Sequence, residues 1–94
     1  MQDKLSVVMI DDSTLDLLLY QEFFKYYKIP HASQTFFYAG DALEYLASND
    51  FNNWPDLILL DIQMPEMNGF EFLDEYIKFA EALRRKTKVI MVSS

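Results

Sequence analysis

The chain has 94 residues and a formal net charge of −7; that length allows one domain with a modest core, and the acidic balance argues against binding nucleic acid or an anionic membrane through a basic surface. Hydrophobic residues make up 51% and charged residues 24% of it, which groups it with folded globular chains and not with disordered ones. It contains no cysteine, so a disulfide framework and a thiolate metal site are both excluded.

Residues 4–10 form the first strand candidate. Val7-Val8-Met9-Ile10 is apolar and partly β-branched, and Asp11 and Asp12 stop it. Because Asp3 and Lys4 precede only this short run, no signal peptide is expected. No apolar run is long enough to span a bilayer, and the expected setting is cytoplasmic. Ser13 with Asp16 has capping-box spacing, which predicts a helix from about Thr14 to about Lys28, with Pro30 helping to end it. Its apolar residues, from Leu15 to Tyr27, cover more than one stripe, so the helix should pack against more than a sheet. His31 is expected in the following loop, structural or solvated.

Residues 32–38 form the second strand candidate, rich in β-favouring Thr35, Phe36, Phe37 and Tyr38. Gly40 marks a turn. Asp41 with Glu44 predicts the cap of a short helix burying Ala42, Leu43 and Leu46. Residues 49–55 read as a polar loop carrying Trp54. The unbroken run Leu57-Ile58-Leu59-Leu60 suits a strand buried on both faces of a parallel sheet, and it ends in Asp61. A turn-rich segment with Pro65, Asn68 and Gly69 follows. Asn68 with Glu71 caps a third helix, predicted over residues 69–85, with stripes Phe70/Leu73/Ile77/Ala80 and Phe72/Tyr76/Phe79/Leu83. Arg84, Arg85 and Lys86 suit its carboxyl end as a solvated cationic terminus. Residues 89–92 are the fourth strand candidate, and Ser93-Ser94 follow it. The order β-α-β-α-β-α-β predicts an α/β fold, a doubly wound parallel sheet with helices on both faces.

Carboxylates at the carboxyl ends of buried parallel strands lie where open α/β sheets hold their sites. With strands one and three adjacent, Asp11, Asp12 and Asp61 meet at one rim. Three such groups stay ionised only beside a cation, or one of them takes up a proton. An all-oxygen set without Cys or His favours a hard cation, Mg²⁺ above all, and Mg²⁺ bound by one or two carboxylates is suited to phosphoryl transfer. Plainer readings exist for each residue. Asp11 and Asp12 precede a helix and could serve only as a cap or dipole partner. Asp61 could be a strand-ending turn former, and short hydroxyl residues like Ser93 are common at strand ends.

Residues 56–72, DLILLDIQMPEMNGFEF, carry a more specific signal. The apolar strand, Asp61, Met64-Pro65 and Gly69, together with Asp11-Asp12 and Ser93, resemble the receiver domain of two-component response regulators, the CheY-like family. The resemblance covers the whole chain. It implies a flavodoxin-like sheet of strand order 2-1-3-4, with the fifth strand absent, so that 1–94 is a receiver domain truncated at its C-terminal α4-β5-α5 segment. It implies that Asp61 is the phosphoacceptor, forming an aspartyl phosphate. Asp12 and Asp61 would be metal ligands, Asp11 would support Mg²⁺ directly or through water, and the backbone carbonyl of Gln63 would complete the set. Ser93 would contact the phosphoryl group and transmit the switch. The implied partner is a histidine kinase or histidine phosphotransfer protein, and the domain would catalyse only its own phosphorylation and dephosphorylation.

The lysine that the family carries on its fifth strand has no counterpart here. Lys86 and Lys88 stand at the start of strand four; five strand residues separate Lys88 from Ser93, about 16 Å at the usual rise, so neither lysine should reach the site. The fourth strand is expected to be an exposed apolar edge, inviting self-association. Two other functions compete. One is a receiver-like interaction module that has lost phosphorylation. The other is a phosphohydrolase working through an aspartyl phosphate, against which Gln63 argues, since such enzymes carry a second acid two residues after the nucleophile.

Overall fold

The computed structural model describes residues 4–93. Ser94, named above beside Ser93, lies outside them. Four strands, β1 (Leu5–Ile10), β2 (His31–Phe36), β3 (Leu57–Asp61) and β4 (Lys88–Val92), form one parallel sheet in the order β2-β1-β3-β4. This is the order expected of the flavodoxin-like arrangement. The alternation of side chains along β1 divides the core in two. Val8 and Ile10 join Ile58 and Leu60 under α2 (Ala39–Ala47) and α3 (Gly69–Tyr76), with Ala42, Leu46, Phe72 and Tyr76 packed among them. Val7 and Met9 face the other way, with Leu59, against Leu17 and Phe24 of α1 (Thr14–Tyr26). The central strands are therefore covered on both sides, which explains their nearly continuous apolar sequences.

The end of the sheet opposite the acidic rim is tied by one residue. Asp56 accepts from the Ser6 amide through Oδ2 at 2.9 Å, and its own amide donates to the Ser6 carbonyl at 2.8 Å. The Asp56 carbonyl accepts from Lys88 at 3.0 Å, so the starts of β1, β3 and β4 are held together. Trp54, predicted in a polar loop, is instead buried. Its indole Nε1 donates to the Leu46 and Asn49 carbonyls at 3.0 and 3.2 Å, which satisfies the one polar atom on a large apolar ring. The Tyr76 hydroxyl is buried and has no hydrogen-bond partner among the described residues. The hydroxyl of Thr87 beside it is committed to the Pro55 carbonyl.

Several local expectations are corrected. His31 is the first residue of β2, not a loop residue, and its ring stacks on Phe24 at 4.7 Å. β2 stops at Phe36, because α2 begins at Ala39, whose burial against the sheet draws the helix start forward. Gly40 and Asp41 consequently lie inside the first turn, and the N-cap is Tyr38, with no side-chain hydrogen bond. Asp41 still suits that position through the helix dipole. The long third helix is broken. α3 ends at Tyr76, and a separate short helix, α4 (Glu81–Arg84), follows. Phe79 turns inward edge-on to Trp54 at 5.1 Å, Ala80 is extended with ψ 139°, and Arg84 Nε donates to the Phe79 carbonyl at 2.9 Å. Of the two predicted stripes the one with Phe72 and Tyr76 is core; of the other, Leu73 packs against it partly buried, while Phe70 and Ile77 are 58% and 60% exposed. Lys86 is not simply solvated. It donates to the Phe51 and Asn52 carbonyls at 2.9 and 3.2 Å and lies 5.2 Å from the centroid of the Phe51 ring.

α1 stops at Tyr26, two residues before the expected end. Lys28 takes φ 56°, its amide donates to the Lys25 carbonyl, and Ile29 donates to the Phe24 carbonyl. This is a Schellman termination with lysine where glycine is favoured. The left-handed conformation strains a side-chain-bearing residue by roughly 1–2 kcal/mol. Lys28→Gly is therefore expected to raise stability by about 1 kcal/mol, after allowing for glycine's greater freedom in the unfolded chain. A higher denaturant midpoint with an unchanged m-value would register it.

Among the described residues β4 pairs only with β3, and Ile90 on it is exposed. Leu15, Leu18, Leu19 and Phe23 of α1 are exposed as well, in keeping with a helix whose apolar surface is broader than its contact with the sheet. No helix of the described residues is long and apolar enough to cross a membrane.

Candidate functional site

The parallel register fixes which strand ends meet. Ile10 pairs with Leu60, so Asp11 and Asp61, each one residue further, emerge at the same rim of the sheet. The Asp11 amide donates to the Phe36 carbonyl at 3.0 Å, and the Ile62 amide donates to the Val92 carbonyl at 3.0 Å. The two acids are thus anchored to the strands on either side. Asp11 and Asp61 are 0% and 1% exposed, while Asp12 is exposed. One carboxylate oxygen from each of the three lies within 4.8 Å of the others.

Each acid is held differently. Asp11 accepts from the Ser13 amide through Oδ1 and from the Tyr20 hydroxyl through Oδ2, both at 2.9 Å. Ser13 in turn caps α1, its Oγ accepting from the Asp16 amide at 3.2 Å. Asp61 accepts from the Gln63 amide at 3.3 Å. The ion pairs among the described residues, Lys78–Glu75 and Arg85–Glu81, are exposed and do not involve the cluster. Burial raises the Asp61 pKa above the ordinary carboxylate value; the Gln63 amide opposes this, and the neighbouring charges of Asp11 and Asp12 add to it. Burial also raises Asp11, against the hydrogen bonds from Ser13 and Tyr20. Tyr20 is itself pushed up, first by burial and then by its bond to Asp11.

The donor set is all oxygen, convergent and without a basic partner among the described residues. It fits a hard divalent cation such as Mg²⁺, for which Asp11, Asp12 and Asp61 are the candidate ligands.

The loop after Asp61 is built to bring α3 close. Asn68 and Glu71 form a complete capping box, with bonds of 2.9 and 3.0 Å, as the sequence spacing predicts. Gly69, read from sequence as part of a turn, is a packing contact. Its amide donates to the Ile62 carbonyl at 2.9 Å. A Cβ there would lie 2.8 Å from the Asp61 carbonyl oxygen and 3.1 Å from Ile62 Cα.

Of the other candidates, Gln63 is exposed and touches Asp61 through its amide. Ser93 is exposed and follows Val92, the register partner of Asp61, so it stands at the same rim; no hydrogen bond joins it to the cluster. Sequence reasoning misses Tyr20, which by pattern reads as one more apolar residue of α1. The available signal was its spacing: Leu17, Tyr20 and Phe24 share the inner stripe, and Tyr20 contributes the stripe's only side-chain polar atom.

Comparison with known proteins agrees with this fold. The family model of the response regulator receiver domain matches residues 7–94. The chain is 35% identical over 92 residues to a Pseudomonas aeruginosa protein named protein-glutamate methylesterase/protein-glutamine glutaminase 2, covering 96% of this chain and 23% of that one. It is 48% identical over 56 residues to an Agrobacterium fabrum protein-glutamate methylesterase/protein-glutamine glutaminase, covering 60% of this chain and 14% of that one. The chain thus spans less than a quarter of the length of these relatives. Among solved structures, a response regulator receiver protein from Dyadobacter fermentans superposes with a TM-score of 0.82 at 34% identity, over 96% of this chain and 69% of that one. A two-component response regulator from Cytophaga hutchinsonii gives 0.85 at 26% identity, over 99% and 71%. With a family match over nearly all its length and the matching sheet order, the chain belongs to the response regulator receiver domain family of two-component signalling.

Proposed function

We propose that residues 1–94 act as a phosphoacceptor unit in which Asp61 receives a phosphoryl group from a phosphohistidine of a histidine kinase or histidine phosphotransfer protein, in a cytoplasmic setting. The observation that carries this reading is the convergence of Asp11, Asp12 and Asp61 at the carboxyl rim of a receiver sheet. A carboxylate oxygen of Asp61 forms the new O–P bond while the P–N bond of the donor breaks, and the imidazole nitrogen leaves and takes up a proton. The Gln63 amide holds the other Asp61 oxygen, which leaves one oxygen free for attack. Ser93, at the same rim, supplies a hydroxyl donor to a phosphoryl oxygen. Asp11, Asp12, Asp61 and the Gln63 backbone carbonyl would hold Mg²⁺, which when bound would supply positive charge to offset that of the incoming phosphate. The domain is a signalling switch and not an enzyme acting on a separate substrate.

The test is intact-mass spectrometry after incubation with Mg²⁺ and acetyl phosphate, beside Asp61→Asn. A phosphoryl mass gain in the natural sequence and none in the variant is the expected result. The other reading is a receiver-like interaction module that binds metal without being phosphorylated. Mg²⁺ binding with no mass gain in either protein would select it.

A further inference from the structure

The three acids are not held alike. Asp61 has one donor at 3.3 Å. Asp11 has two at 2.9 Å, from different parts of the chain: the Ser13 amide on Oδ1 and the Tyr20 hydroxyl on Oδ2. Two donors on two oxygens fix both the position and the twist of a carboxylate, whereas one leaves it free to rotate. Asp11 is fully buried, so bulk water does not readily replace a lost donor.

The Tyr20 ring is packed against the core formed by Val7, Met9, Leu17, Phe24 and Leu59. Its aim is therefore set by apolar contacts on α1 and the sheet, and its hydroxyl reaches the rim with little freedom left to lose. A carboxylate oxygen has two acceptor sites, so the phenol occupies one on Oδ2 and leaves the other available. Carboxylates that bind metals are themselves commonly oriented by such outer hydrogen bonds, and losing one lowers metal affinity roughly 10- to 100-fold.

We propose that Tyr20 is the positioning residue of the acidic site, its hydroxyl locking Asp11 in the orientation that receives a divalent cation. The inference rests on the cation-binding reading given above. It assigns to α1 a part in the site beyond covering the sheet: α1 carries the Tyr20 hydroxyl, and its N-cap residue Ser13 supplies the other donor.

Calorimetric titration of the 94-residue chain with Mg²⁺ tests it, comparing the natural sequence with Tyr20→Phe, which keeps the ring and removes only the hydroxyl. Affinity is expected to fall about 10-fold. With acetyl phosphate, the rate of mass gain should fall at low Mg²⁺ and recover at saturating Mg²⁺, a split that a packing role would not produce. A second measurement needs no variant: the ¹³Cζ resonance of labelled Tyr20 should shift during the Mg²⁺ titration with the same midpoint as the calorimetry. A natural protein that binds Mg²⁺ while Tyr20→Phe binds it within about twofold, or while the Tyr20 resonance stays still, overturns the proposal alone. A natural protein that binds no Mg²⁺ overturns the cation reading, and the proposal with it.

Discussion

In the absence of divalent cations, Asp61→Asn is expected to melt at a higher temperature than the natural protein. Asp61 is almost fully buried, has one hydrogen-bond donor, and faces the charges of Asp11 and Asp12 with no basic partner among the described residues. An amide of the same shape keeps an acceptor for the Gln63 amide and removes the charge. Relief of one poorly compensated buried charge is worth about 2 kcal/mol, or roughly 10 °C in a domain of this size. The pH dependence has a definite sign. Burial raises the Asp61 pKa in the folded state above the unfolded value of 3.8. The stability this group contributes is thus fully present below 3.8 and is lost as pH rises through the folded value. The advantage of Asp61→Asn should accordingly grow between mildly acidic and neutral pH. Mg²⁺ should stabilise the natural protein by mass action and the variant less, which narrows the gap. Thermal melts of both proteins with chelator and with Mg²⁺ measure all three effects. A variant that melts below the natural protein at neutral pH without metal would mean that the cluster is not electrostatically strained.

Gly69→Ala is expected to destabilise the fold by about 2 kcal/mol, although alanine is the better helix former. The added Cβ would meet the Asp61 carbonyl oxygen at 2.8 Å and Ile62 Cα at 3.1 Å. Both are backbone atoms of β3 and the residue after it, and neither can step aside as a flexible side chain does. Gly69 does not use a positive φ, so the conflict is steric and not torsional. α3 must move away from β3, shifting the Ile62 and Gln63 amides with it. Gly40→Ala is the control: nothing lies within 4 Å of its would-be Cβ, and it sits in the first turn of α2. That substitution should stabilise by about 0.5–1 kcal/mol. Denaturant midpoints distinguish the two glycines, and amide shifts at residues 61–63 in Gly69→Ala alone locate the disturbance. Expectations of opposite sign for the same chemical change make this a demanding test of the close approach.

Much of the architecture was legible in one dimension. The four apolar runs, their punctuation by acids and turn residues, and the Ser13 and Asn68 cap signals follow local rules, and they gave the strands and helix starts to within a residue or two for β1, α1, β3, α3 and β4. Errors came where a long-range contact outweighed local preference. Phe79 was assigned to a continuous helix by periodicity, but its packing on Trp54 breaks that helix at Tyr76. Asp41 looked like a cap, but burial of Ala39 starts α2 earlier. His31 looked like a loop residue, but β2 begins with it, paired to Leu5.

The candidate site divides in the same way. Sequence by itself determined which side chains are available: an acid at the end of each central strand, a second beside the first, a tight loop after Asp61, and no cysteine to offer softer ligands. These are matters of residue type and local spacing. Only the tertiary structure decided that the carboxylates converge within 4.8 Å, because their distance depends on the register of strands some 50 residues apart in sequence. Only the structure decided that Gly69 is a contact and that Tyr20, among many apolar neighbours on α1, turns its hydroxyl to Asp11. A side chain's type is written in the chain, but its partner is chosen by packing of segments that meet only in the folded state.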